Sequence, residues 1–272
     1  MRSLFWGVGV LAAFALLALT APLYIGDADL NVVKVTGPQL SPPVGGYPLG
    51  TDQAGRSVLL LVIWGARESL AIGLIATALT VLLGSAVGLL AGHYQGMIGK
   101  ALMHVTDWFI ALPSLPLAIS LSAVLGQGAA SITIAIAVTS WTATARLVRA
   151  QTLAVEARPF IERARVLGAG NAQVMLRHVL PNVLPLILVS STLTVASAIL
   201  SEATLTFLGL GDPTSVTWGS MLQAAFAGGA VTAGAWWYLL PPGVAILIVV
   251  LGFTLTGRAV EHLLDPRRSA HA

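Results

Sequence analysis

Apolar positions gather into six long runs, with cores at approximately Leu4 to Ile25, Ser69 to Ala91, Trp108 to Leu125, Ser131 to Val148, Val183 to Leu205 and Leu239 to Gly257. Each approaches the ~20 residues that an α-helix needs to cross the hydrocarbon of a bilayer. The pattern predicts an all-α polytopic membrane protein with six transmembrane helices. Two polar, turn-rich stretches separate the runs. Gly26 to Gly55 contains Pro42-Pro43 and Gly45-Gly46, and Phe207 to Trp237 contains Gly209, Gly211 and Pro213. Such residues favour loops, with one short helix expected around Ser220 to Phe226. Both stretches fall on one side of the membrane if all six runs span. A cleaved signal peptide is the alternative for the first run, since Met1-Arg2 precedes it and small residues occupy Ala18 to Ala21. The apolar stretch continues through Pro22, Leu23 and Ile25, which is long for such a leader, so an uncleaved first helix is expected.

The polar interval between the fourth and fifth runs has a different pattern. Phe160, Ile161, Ala164 and Leu167 recur at helical spacing, while Glu162, Arg163 and Arg165 supply a polar face. A short amphipathic helix is predicted, ended by Gly168 and Gly170. Asn171 is the expected N-cap of a second short helix running to Pro181. The pattern reads as a docking element, with an ordinary amphipathic helix at the interface as the plain structural alternative.

Charge placement decides the orientation. With the N-terminus inside, the inner set is Arg2, Lys100, Arg146, Arg149, Arg158, Arg163, Arg165, Arg177, Arg258, Arg267 and Arg268; the outer set is Lys34, Arg56 and Arg67. An imbalance of roughly eleven to three places both termini, and the amphipathic island, in the cytoplasm.

Composition narrows the function. The chain has 56% hydrophobic and 9% charged residues, too little polar surface for a soluble globule. Its net charge of +3 is spread along the sequence, so nucleic-acid binding is not indicated. No cysteine is present, which removes disulfides and thiolate chemistry. His93, His104, His178 and His262 fall at interfaces and His271 in the tail, without the spacing of a metal site. Ionisable groups are nearly absent from the runs: Asp107 and Glu202 lie near predicted ends, and Arg146 and Arg149 close the fourth. This argues against a proton-driven carrier. A phosphate-binding loop is also missing, because Gly96-Met-Ile-Gly-Lys-Ala101 has the wrong spacing and no hydroxyl after Lys100. Ser120, Ser140, Ser190 and Ser201 have neither a Gly-x-Ser-x-Gly setting nor a His base at membrane depth, which disfavours a membrane hydrolase. A passive channel leaves the docking island unexplained.

Four segments carry a family resemblance. Glu162-Arg163-Ala164, then Gly168, then His178-Val179-Leu180-Pro181 resembles the EAA motif of ABC importer permeases, with Arg163 in place of an Ala and His178 in place of an Ile. Pro48 to Ser57 and Trp64-Gly-Ala-Arg-Glu-Ser-Leu70 resemble a signature of the C-type permeases of dipeptide, oligopeptide and nickel importers, departing at Ser57 and Trp64. Ala203 to Gly211 with Trp218-Gly-Ser-Met-Leu222, and Leu264-Asp-Pro-Arg267, are similar to further segments of that branch. Each also has a plain structural reading. Thr51, Asp52 and Gly55 suit a bonded turn opening a helix around Arg56 to Trp64. Phe207 to Gly211 suits a helix exit, Asp265-Pro266 a turn, and Arg267 with Arg268 a lipid anchor.

The resemblance implies a type I ABC importer permease fold in the bacterial inner membrane. It divides the chain into a first helix (1–25), an external loop with a short helix (26–68), a core of five helices (69–262) carrying a coupling segment (156–181), and a cytoplasmic tail (263–272). It implies ATPase coupling through Phe160, Glu162, Ala164, Arg165, Leu167, Gly168, Leu180 and Pro181. The implied partners are a homologous B-type permease, two cytoplasmic ATPase domains that hold ATP and Mg, and an external substrate-binding protein. This chain would carry no cofactor of its own. The implied cargo is a peptide or a related small solute, with nickel chelates, glutathione and haem as alternatives.

Overall fold

The computed structural model describes residues 2–35 and 37–264, so the Asp265-Pro266-Arg267 ending lies outside the described residues. The chain runs α1 (Arg2–Tyr24), α2 (Asp27–Leu30), α3 (Val58–His93), α4 (Met97–Ala111), α5 (Ser114–Leu125), α6 (Ala129–Glu156), α7 (Pro159–Val166), α8 (Asn171–Gln173), a π-helical stretch Val174–Val179, α9 (Leu180–Phe207), α10 (Trp218–Ala227) and α11 (Trp236–Leu264). Among the described residues, five helices are long and apolar enough to cross a membrane.

The third apolar run is not one straight span. It is divided into α4 and α5, which meet at 91°, so a sixth crossing exists only if the bent pair counts as one. Pro113 is the cause: its ring disfavours helical geometry at the preceding residue, and Leu112 is extended at φ −81°, ψ 134°. The second run is longer than its hydropathy suggests. No separate helix covers Arg56 to Trp64, because α3 runs unbroken for 36 residues from Val58. Gly65 does not interrupt it, since that position sits against the Trp218 ring, 3.2 Å from where a Cβ would stand. Helix α6 also extends past Val148, to Glu156.

Close backbone contact holds the centre together. Gly84, Gly88 and Gly92 recur every fourth residue on one face of α3. A Cβ at these positions would lie 2.6 Å from the Trp141 carbonyl, 2.6 Å from the Ala145 carbonyl and 2.5 Å from Thr152 Cγ2, all on α6. Any side chain larger than hydrogen would force the two helices apart, as in small-residue seams of membrane bundles generally. Three buried apolar clusters flank this seam. The largest surrounds Trp218, whose indole Nε1 donates to the Val62 carbonyl (2.9 Å) and whose ring meets Phe14 edge-on at 5.9 Å. It anchors α10, which begins with a reciprocal Thr217–Ser220 cap. The second lies between α3, α5, α6 and α9. The third closes the opposite end and supports the island.

Candidate coupling site

The island is built by ordinary helix-end chemistry. Pro159 occupies the first turn of α7, where its missing N–H costs nothing, and Arg158 before it is extended. At the far end Gly168 adopts φ +90°, Ala169 N donates to the Ala164 carbonyl (3.0 Å) and Gly168 N to the Arg165 carbonyl (2.9 Å). This is a Schellman stop, and the left-handed residue turns the chain back towards the membrane. The expected cap differs in detail: Gly170, not Asn171, is the N-cap of α8. There is also no detached second helix, because α8, the π-helical stretch and α9 continue as one rod from Asn171 to Phe207. The π-helical winding directly precedes Pro181, whose missing N–H leaves a carbonyl of the preceding turn without its donor. Asn182 Nδ2 donates to the His178 carbonyl at 2.7 Å and satisfies part of this irregular turn.

The amphipathic pattern resolves into a buried plug and an exposed ridge. Ile161 is fully buried among Leu89, Val148, Val155, Val174, Val179, Val183 and Ile187, with Phe160 and Leu180 half-buried beside it. Phe160 packs against this plug while part of its side chain stays accessible. Glu162, Arg163, Val166 and Leu167 are exposed, Val166 by 83% and Leu167 by 87%; Ala164 is partly covered. Two apolar side chains so open to solvent at a helix end have no role in this chain's own core.

A buried ionic clamp, absent from the sequence reading, fixes the plug. Glu156 at the end of α6 has a 3% exposed side chain, with Oε1 2.5 Å from His93 Nδ1 and Oε2 2.5 Å from Arg165 Nη2. A carboxylate only accepts hydrogen bonds, so both partners donate to it. The clamp joins the ends of α3 and α6 to α7. Arg165 thus binds within the chain, its outer side still 47% exposed. Six of the eight coupling residues expected from sequence therefore form two groups. Phe160, Leu180 and Arg165 hold the island; Glu162, Leu167 and Gly168 shape its outward surface. Pro181 lies exposed at the start of α9.

The opposite end carries a concavity of about 870 Å³, whose lining includes Arg56, Trp64, Glu68, Gln127, Asp212 and Tyr238. Its rim is set by turns. Asp52 accepts from the Ala54 and Arg56 amides and pairs with Arg56 Nε at 2.7 Å, while Gly55 takes φ +86°. Asp212 accepts from the Thr214 hydroxyl and amide, which holds its carboxyl below the usual value.

This architecture is that of an ABC importer membrane subunit. The protein overlays a chain of the inward-facing MetNI methionine ABC transporter with a TM-score of 0.62, at 20% identity over 76% of this chain and 98% of that one. It overlays a chain of an amino acid ABC transporter solved with histidines at a TM-score of 0.57, at 19% identity over 75% of this chain and 94% of that one. Sequence carries the assignment from fold to family. Residues 84–270 match the family described as binding-protein-dependent transport system inner membrane component, and the chain belongs to that family. It is 38% identical over 267 residues to a putative peptide transport system permease of Brucella suis, covering 98% of this chain and 88% of that protein. It is 40% identical over 222 residues to the di/tripeptide transport system permease DppC of Pseudomonas aeruginosa (81% and 72% covered). It is 35% identical over 226 residues to the glutathione transport system permease GsiD of Pectobacterium atrosepticum (83% and 74% covered). The protein is a multi-pass importer permease and is not itself a catalyst.

Proposed function

We propose that the chain is the C-type permease of an ATP-driven importer for peptides or related small solutes, and that a cytoplasmic ATPase docks on the ridge Glu162, Val166, Leu167 and Gly168. The observation that carries this reading is the contrast within α7. One side is locked by Ile161 and the Glu156 clamp, and the other presents two nearly bare apolar side chains beside charges. A rigid helix with an exposed apolar tip is suited to a groove in another protein. The charge imbalance of the loops puts that tip, and both termini, in the cytoplasm. Peptides are favoured as cargo by the names of the relatives above; the glutathione permease among them makes a modified peptide the second choice.

In this reading a homologous permease supplies the other half of the path, two ATPase domains hold ATP and Mg, and an external binding protein delivers solute at the opposite concavity. ATPase closure pushes the two islands together and rocks the bundles between inward-open and outward-open states. The test is a paired substitution at the tip, Val166→Asp with Leu167→Asp, in the whole complex. Membrane insertion should be unchanged, while ATPase co-purification and solute uptake both fall at least tenfold. Wild-type uptake by that variant would show that the ATPase does not dock there.

A further inference from the structure

Charged side chains occur where the hydropathy pattern does not reveal them. Arg146 lies about ten residues before the end of α6 and about seventeen after its start. At 1.5 Å per residue the helix is ~42 Å long, so centred on ~30 Å of hydrocarbon it carries Arg146 roughly 9 Å inside the nearer boundary. Its Nη2 sits 2.7 Å from Asp107 Oδ1 on α4, and both side chains are 52% exposed. The pair is therefore neither interior to this chain nor outside the membrane.

The exposed half cannot face lipid. Arginine alone could extend its long stem to the boundary, but Asp107 has no such reach and the ion pair ties the two together. Lys100, His104 and Asp107 recur at i, i+4 and i+7 on α4, all exposed, so the polar stripe extends from the pair about 10 Å back towards the end of α4 that adjoins His93. On the α6 side the exposed neighbours of Arg146 at helical spacing are Ala143 and Ala150, which are small and leave room. A face suited to lipid has another character: Ile75, Leu79 and Leu82 on α3 form an exposed stripe without a polar atom in their side chains.

The geometry points to Asp107 and Arg146, with His104 and Lys100, as the polar wall of a water-filled conduit through the half of the membrane nearest the island, suited to a solute bearing both charges, such as a peptide with free termini. One carboxylate and one guanidinium at the same level offer a counter-charge to a terminal ammonium and to a terminal carboxylate. A passing zwitterion exchanges partners with the pair, so no charge of either is left without a counter-charge. Half-exposed groups that already satisfy each other hold such a solute weakly, which suits passage rather than storage. This inference rests on the importer reading for the identity of the solute and for which half is cytoplasmic.

The natural chain has no cysteine, so accessibility can be read directly. Single Asp107→Cys, His104→Cys and Ala143→Cys variants, with Leu82→Cys as the apolar control, are labelled in membranes of the assembled complex with a membrane-impermeant cationic methanethiosulfonate and its anionic counterpart. Labelling at 104, 107 and 143 should be at least tenfold faster than at 82. In the Ala143→Cys background, Arg146→Gln should raise the cation-to-anion rate ratio several-fold, because the guanidinium no longer repels one reagent and attracts the other. Labelling at 107 and 143 as slow as at 82, whether through lipid or through a covering subunit, overturns the conduit. An unchanged rate ratio overturns the role of Arg146 in it. Labelling needs no ATP, so a failure of ATPase docking leaves this result intact and the two readings fail separately.

Discussion

Removing Glu156 should uncouple the island without unfolding it, and the size of the effect can be worked from the clamp. Hydrogen bonds to a charged partner contribute about 1.5–3 kcal/mol each. The Arg165 bond counts at or below the low end, because that side chain is 47% exposed and water replaces the lost carboxylate. The His93 side chain is only 2% exposed, so its Nδ1 would be stranded at a cost of about 1–3 kcal/mol. Only the Arg165 bond ties α7, so Glu156→Ala should loosen α7 by about 1 kcal/mol, while the stranded His93 costs about 1–3 kcal/mol where α3 meets α6. Glu156→Gln should cost about 1 kcal/mol, since the amide refills the space and one bond survives. Ile161 and its apolar neighbours remain, so the island stays seated but opens more often. Hydrogen exchange at the Leu167 and Ala169 amides, which close the end of α7, reads this directly: about 1 kcal/mol corresponds to about fivefold faster exchange. In the assembled complex the alanine variant should keep its ATPase but hydrolyse several-fold more ATP per solute imported. Wild-type exchange and a wild-type ratio of ATP to solute in Glu156→Ala would refute the clamp as a positioning device.

The remaining expectations concern the island and the topology. Gly168→Val should abolish uptake with insertion intact: at φ +90° a Cβ meets nothing within 4 Å, so the cost of about 1–3 kcal/mol is backbone strain alone, and full uptake would sink the idea. Glu162→Lys reverses one exposed charge at the docking ridge and should weaken ATPase co-purification less than Gly168→Val does, with a dependence on salt that an uninvolved residue would lack. A reporter fused after Ser269 should be cytoplasmic and one inserted near Gly45 external; finding both on one side would contradict the charge-based orientation. Purified alone, the chain should not hydrolyse ATP, and turnover with contaminating ATPases excluded would contradict its dependence on a partner.

Hydropathy locates the membrane segments but not their shape. A window average is blind to direction, so Leu112-Pro113 reads as part of one apolar run although it turns the chain by 91°. The same averaging trims polar helix ends, which is why Trp64 to Glu68 falls outside the second run and why Arg146 reads as the close of a helix that continues to Glu156. Local stops are legible, because Gly168 and Gly209 act through their own backbone, at φ +90° and +83°. The division of the island into plug and ridge is not, since periodicity tells which residues share a face and not what that face meets. Phe160 packs against the Ile161 plug for that reason. The Glu156–His93 contact joins residues 63 apart, and no local pattern marks either one. The fourfold spacing of Gly84, Gly88 and Gly92, by contrast, is a signal of close packing that a sequence does display.

That seam has a mechanical consequence. Side chains between two helices act as a cushion: they change rotamer and absorb small displacements before the backbones respond. Where α3 meets α6 at Gly84, Gly88 and Gly92 there is no cushion, only the bare main chain of α3 against its neighbour. The two helices are bolted again at the island end by His93 and Glu156. Together they make the island end of α3 and α6 a stiff unit with almost no play, so a displacement there would move the two helices as one body.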